Sequence, residues 1–154
     1  MFYIAALVVS GLTAFPLEAE VTLGSSILHS TPAPEWFPWF VDWIDTVRYG
    51  LADTYEKYPW VAYGTDWLAF AHLVIAVAFI GPFRDPVRNV WVIQWGMIAC
   101  IAVIPLALIA GSIRGLPWGW MLLDMSFGVF GIIPLIIVLR LTRTLEREVT
   151  VSAP

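Results

Sequence analysis

Two side chains in the most apolar stretches of this sequence can exchange a proton or offer a lone pair: His72, inside "FAHLVIAVAFIGPF", and Asp124, inside "MLLDMSFGVFGIIPL". A charge at the centre of a bilayer costs about 2.5–3.5 kcal/mol on the lenient insertion scale, so two such groups in separate helices are better tolerated when they meet. The expectation is a hydrogen bond between His72 and Asp124, direct or through one water. Such a pair has the chemistry of a proton relay or an ion site, and His72 alone that of an axial ligand to haem or a chlorin. The plainer role is a polar clasp that specifies how helices pair, worth about 0.6 kcal/mol on average. Ligation of haem by two histidines needs a second buried imidazole, and the other histidine, His29, falls in a polar connector. The sequence itself requires no cofactor.

Helical spacing says which way these groups face. At 100° per residue Thr65, Ala69, His72 and Ala76 share one face, and Asp124 shares another with Gly128, Gly131 and Leu135. Small residues let helices approach closely in lipid, so both faces are expected to point into a bundle. Counted from one surface, His72 lies about 12 Å deep and Asp124 about 9 Å, at 1.5 Å per residue. An antiparallel pass brings Pro105 to that level, where the missing N–H leaves the Ile101 carbonyl without its usual partner. Ser10, Gly11 and Thr13 reach it from the N-terminal stretch. The expected buried polar layer is thus His72, Asp124, Pro105, Ser10 and Thr13.

The elements that must position this layer follow from composition. Of 154 residues, 60% are hydrophobic and 13% charged, against a soluble norm of about 45–50% apolar. That is a membrane composition, and the reading is an all-α, integral membrane four-helix bundle. Three passes are plain. One runs from Thr65 to about Ile80, with Gly81-Pro82 as its stop. A second starts at Asp85-Pro86, an N-cap followed by proline, and runs to about Ser112. The last runs from Trp118 to about Leu139, leaving a tail over 140–154. The N-terminal "MFYIAALVVSGLTAFPL", residues 1–17, is a short fourth pass. It has no basic residue in front of it, which disfavours a cleaved signal, so it is read as retained.

Between the first and second passes, residues 18–64 form a connector and an amphipathic helix. From Pro38 to Lys57, Phe40, Trp43, Ile44, Val47, Leu51 and Tyr55 recur at three- and four-residue steps, with Asp42, Asp45, Asp53 and Glu56 on the other face. Trp36, Trp39, Trp43 and Trp60 suit the water–lipid boundary, where indole is half wet. "HSTPAPEWFP", with three prolines, is a stiff connector that cannot be helical throughout. The helix reads as a lid over the ends of the passes or as a docking surface for a partner chain.

Basic residues set the orientation. Arg84 and Arg88 in one connection and Arg140, Arg143 and Arg147 after the last pass outnumber Arg48, Lys57 and Arg114 on the other side. Both termini are therefore expected in the cytoplasm and residues 18–64 outside. Arg84, Asp85 and Arg88 then sit on the cytoplasmic face, for topology and capping or for a cytoplasmic contact. Eight basic residues against twelve acids, with no basic patch, exclude nucleic acid as a partner. The single cysteine, Cys100, allows no intrachain disulfide. HExxH, GxSxG, CxxC and phosphate-cradling glycine loops are missing, so no catalytic residue or metal site is assigned.

The run "YGTDWLAFAHLVIAVAFIGPFRDPVRNVWVIQWGMIACIAVIPLALIAG", continuing into "RGLPWGWMLLDMSFGVFGIIPL", resembles a group of bacterial multi-pass membrane proteins with no assigned activity. The likeness covers roughly residues 63–135. It implies a bacterial inner membrane and carries over no site residue. The function expected from all this is non-enzymatic: an accessory or scaffolding subunit of a larger energy-converting, respiratory or photosynthetic membrane complex. Its partners are the lipid bilayer and other membrane-protein chains. The alternatives are a small proton, ion or solute carrier using His72 and Asp124, and a haem- or chlorin-holding protein.

Overall fold

The computed structural model describes the backbone of residues 1–152 and the side chains of residues 1–147. All its regular structure is helical: α1 (Phe2–Ala14), α2 (Leu17–His29), α3 (Ala33–Trp36), α4 (Pro38–Lys57), a 3-10 turn (Pro59–Val61), α5 (Ala62–Ala78), α6 (Ile80–Arg84), α7 (Val90–Arg114) and α8 (Trp118–Ser152). Three stretches are long and apolar enough to cross a membrane: Pro59–Arg84, Val90–Arg114 and Trp118–Arg147. The chain divides into two compact units, residues 2–76 and the residues from Val77 onward.

In the N-terminal unit the expected short first pass, residues 1–17, contains α1, and a further helix, α2, occupies the start of the stretch read as connector. Pro16 has no N–H and its ring clashes with the carbonyl four residues back, so α1 ends at Ala14 after 13 residues. That is about 20 Å of helix, short of the roughly 30 Å hydrocarbon core. α2 leaves at 93° to α1, with Glu18 and Glu20 in its first turn, where carboxylates favour the positive end of the helix dipole. Prolines 32, 34 and 38 break the chain into the single turn of α3 and then start α4. α4 has the bounds its periodicity predicts, Pro38–Lys57. It packs chiefly on α2, and Val41 is its buried centre. Asp45 departs from the predicted polar face: it lies one turn from Val41 and is half-buried, because the packed side of α4 is rotated toward Val41, Ile44, Asp45 and Arg48. α1 meets α5 where the Cβ that Gly11 lacks would lie 3.0 Å from the Ala69 carbonyl oxygen. Tyr55 Oη–H donates across from α4 to Thr65 Oγ1 of α5 at 3.4 Å.

In the C-terminal unit the helix does not stop at Gly81-Pro82. It breaks at Phe79 and resumes as α6, where Pro82 sits in the first turn and its missing N–H has no partner to lose. Asp85 does cap, accepting from the Arg88 N–H at 3.0 Å, but it caps a single turn. α7 begins at Val90, four residues later than Pro86, and it ends at Arg114 rather than Ser112. The end is a Schellman motif: Gly115 is left-handed with φ 69°, the Leu116 N–H reaches the Gly111 carbonyl at 2.9 Å and the Gly115 N–H reaches Ser112 at 3.3 Å.

α7 and α8 run antiparallel, and glycines set their approach. A Cβ on Gly96 would meet Leu135 and Phe79, one on Gly128 would overlap the Cys100 carbonyl oxygen and Val103, one on Gly131 would meet Cys100 Sγ, and one on Gly111 would overlap Met121. The buried residues Val92, Ile93, Cys100, Ala107, Met121 and Leu135 fill the seam. α8 continues past Leu139 through Ser152 with Pro134 inside it. Most of the stretch read as a tail is therefore helix, and residues 153–154 lie outside the described residues.

Candidate functional site

The best-connected polar cluster is in the N-terminal unit, at residues the hydropathy reading did not bring together. Ser25 Oγ–H donates to Asp45 Oδ1 at 2.6 Å, and His29 Nε2–H donates to Asp45 Oδ2 at 2.7 Å. Ser25 and His29 are one turn apart on α2, so both reach the same carboxylate of α4. Arg48, one turn further along α4, brings its Nε within 3.9 Å of Asp45 Oδ1, while its guanidinium carbon lies 4.2 Å from the centre of the Tyr49 ring. Ser25 is 4% exposed, whereas His29 stands at the surface. The Ser25 hydroxyl, then the His29 ring, hold the Asp45 carboxyl below the usual carboxylate range, and the Arg48 charge adds to this.

Ser, His and Asp together suggest nucleophilic catalysis, but the order is wrong for it. A working triad puts the imidazole between the hydroxyl and the carboxylate, so that a base faces the nucleophile. Here the carboxylate is in the middle and consumes both protons. The arrangement can fasten α2 to α4 and cannot activate Ser25. Beside it the two helices leave an open apolar groove of about 450 Å³ lined by Glu20, Val21, Gly24, Ile27, Leu28, Phe40 and Ile44.

His72 is on the predicted face of α5: Ala69 and Ala76 are buried at 0% and 2% exposure, and Thr65 and His72 are half-buried. Its Nδ1 lies 2.8 Å from the Leu68 carbonyl oxygen one turn back. A carbonyl only accepts, so Nδ1 carries the proton and Nε2 keeps a lone pair when the ring is neutral. That is the tautomer a metal or tetrapyrrole ligand needs, and the same bond equally satisfies a histidine with no further task. Ser10 and Thr13 are exposed on α1, Thr13 bonding back to the Ser10 carbonyl at 3.3 Å.

In the C-terminal unit Asp124 is half-buried on α8, and its predicted stripe is the one that packs on α7, with Gly128 and Leu135 buried. Among the described residues of that unit its carboxylate makes no hydrogen bond or ion pair. Pro105 is exposed on α7. Arg84, Asp85 and Arg88 are exposed at the turn between α6 and α7, with Asp85 as the cap already described. Of the boundary tryptophans, Trp36, Trp39 and Trp60 are 70%, 56% and 72% exposed, while Trp43 is half-buried on the packed side of α4. Among the described residues no group of three or more His, Cys, Asp or Glu side chains is placed to hold a metal ion.

No protein family, curated protein or solved structure matches this chain. The resemblance seen over residues 63–135 therefore rests on that run of sequence alone.

Proposed function

We propose that this protein is a non-enzymatic accessory or scaffolding subunit of a larger membrane complex. The observation that carries the reading is the clasped hairpin of α2 and α4. A Ser25–Asp45–His29 cluster fixes two helices; Trp36, Phe37, Trp39 and Tyr49 on and beside them are exposed, as are Tyr58 and Trp60 just past the end of α4. Exposed large aromatic residues on a rigid support give contact area at low entropic cost, the composition found at the energetic centres of protein interfaces. An enzyme's polar residues would converge on a reacting atom. The connected ones here converge on each other.

The four-pass arrangement, with residues 1–17 as its short first pass, belongs to this proposal, as does the bacterial inner membrane with both termini cytoplasmic and residues 18–64 outside. The arginine distribution supports that orientation. The pairing of His72 with Asp124 is likewise proposed, as a clasp. A second reading, His72 as the single axial ligand of a haem or chlorin, is favoured by its Nδ1 bond to Leu68, which leaves Nε2 open.

Isolation from native membranes in mild detergent, with intact-mass analysis and an absorption spectrum, tests both. Co-purifying chains at fixed ratio are expected with the first reading. A visible chromophore lost in His72→Gln would transfer support to the second. A colourless single chain would contradict both.

A further inference from the structure

We propose that five arginines at one end of the C-terminal unit, Arg84, Arg88, Arg140, Arg143 and Arg147, form a collar that binds the phosphate headgroups of anionic phospholipids. The antiparallel packing of α7 on α8 sets this end. Gly96 faces Leu135, so the start of α7 at Val90 and the α6–α7 turn lie beside the part of α8 that follows Leu139. On α8, Arg140, Arg143 and Arg147 recur at steps of three and four and so form one stripe. All five side chains are exposed, and among the described residues none of their guanidinium groups makes a hydrogen bond or an ion pair. The same segments hold three acids, Asp85, Glu146 and Glu148.

Length places the collar at headgroup level. A helix entering the hydrocarbon at Trp118 has used the roughly 30 Å core after about 20 residues, just before Arg140. On α7, Trp91 and Trp95 are exposed in the first two turns, the position of an aromatic belt. Leu141 and Leu145, also exposed, let the arginine stems lie along acyl chains while the guanidinium groups reach phosphate. Guanidinium matches phosphate with paired N–H donors. An acidic protein segment has the same charge but must be brought here, whereas headgroups already surround the exit of the span. The proposal rests on α7 and α8 crossing a membrane, and it is independent of the subunit reading.

The test is native mass spectrometry of the full chain released from vesicles of equal phosphatidylglycerol and phosphatidylcholine. About tenfold more retained phosphatidylglycerol is expected, with R140Q/R143Q/R147Q removing most of that preference and Arg114→Gln, at the opposite end of the unit, leaving it intact. Millimolar glycerol phosphate should not displace the lipid. Equal retention of the two lipids by the unaltered chain overturns the proposal, even where the triple variant fails to accumulate. So does a preference unchanged in the triple variant, or displacement by glycerol phosphate.

Discussion

In the N-terminal unit α2 and α4 meet through a carboxylate that serves two donors, whereas in the C-terminal unit α7 and α8 meet where side chains are missing. The difference follows from what surrounds each pair. α4 carries acids along one side, so an ion-assisted cluster adds direction to a modest apolar seam. α7 and the part of α8 before Arg140 are apolar on nearly every side, and lipid rewards apolar faces as well as a neighbouring helix would. Only close van der Waals approach then distinguishes partner from solvent, and Gly96, Gly111, Gly128 and Gly131 provide it.

The largest effect should come from closing the glycine seam. Gly128→Leu puts a side chain onto the Cys100 carbonyl, a backbone atom that cannot swing aside. It should destabilise the unit by about 1–3 kcal/mol or more, read as a fall in the denaturant midpoint of the detergent-solubilised protein. An unchanged midpoint would mean that the helices do not approach at this point.

Asp45→Asn should act on the other unit alone. It removes the charge that Ser25, His29 and Arg48 share, and amide exchange should accelerate in α2 and α4 while α7 and α8 keep their protection. The acid dependence has a definite sign. Because the Asp45 carboxyl is held below its ordinary value of 3.8, its contribution is complete above that value and is lost as pH falls through the lower folded one. Acid should therefore release the α2–α4 pair in the parent and have no such step in Asp45→Asn. The close approach at Gly96, Gly128 and Gly131 is made to Phe79, Leu135, Cys100 and Val103, none of which titrates in acid.

Two smaller changes sharpen the contrast. Gly24→Ala, at a glycine with open space where its Cβ would go, should stabilise α2 by about 0.5–1 kcal/mol through helix propensity, while Gly131→Ala must push on Cys100 Sγ and gain less. Leucine at positions 72 and 124, singly and together, should show a coupling near 0.6 kcal/mol if the proposed clasp forms. Strict additivity would remove it.

How much of this could be read from the sequence depended on which signal was strong. α4 was legible to the residue, because proline opens it and its apolar period runs unbroken to Lys57. The helix faces of His72 and Asp124 were legible too, since alanine and glycine at turn spacing mark a packing side. Asp45 was misplaced by treating every acid as outward: it sits only 40° from Val41, and carboxylates are drawn inward when donors one turn apart, such as Ser25 and His29, await them. α2 was hidden by Glu18 and Glu20, which lower its hydropathy while favouring its N-terminus. At Gly81-Pro82 and Asp85-Pro86 the proline signals were real but local, moving a break to Phe79 and a start to Val90. Nothing in the tail marked an end, and α8 runs on through its arginines.

The most direct test of the central claim, that the clasped aromatic hairpin meets another protein while the apolar helices meet lipid, is photo-crosslinking in native membranes. A photoreactive phenylalanine analogue is placed at position 39 or, for comparison, at the exposed position 130 of α8. The account predicts a discrete protein adduct from position 39 and lipid adducts from position 130. Lipid adducts alone from both positions would contradict it.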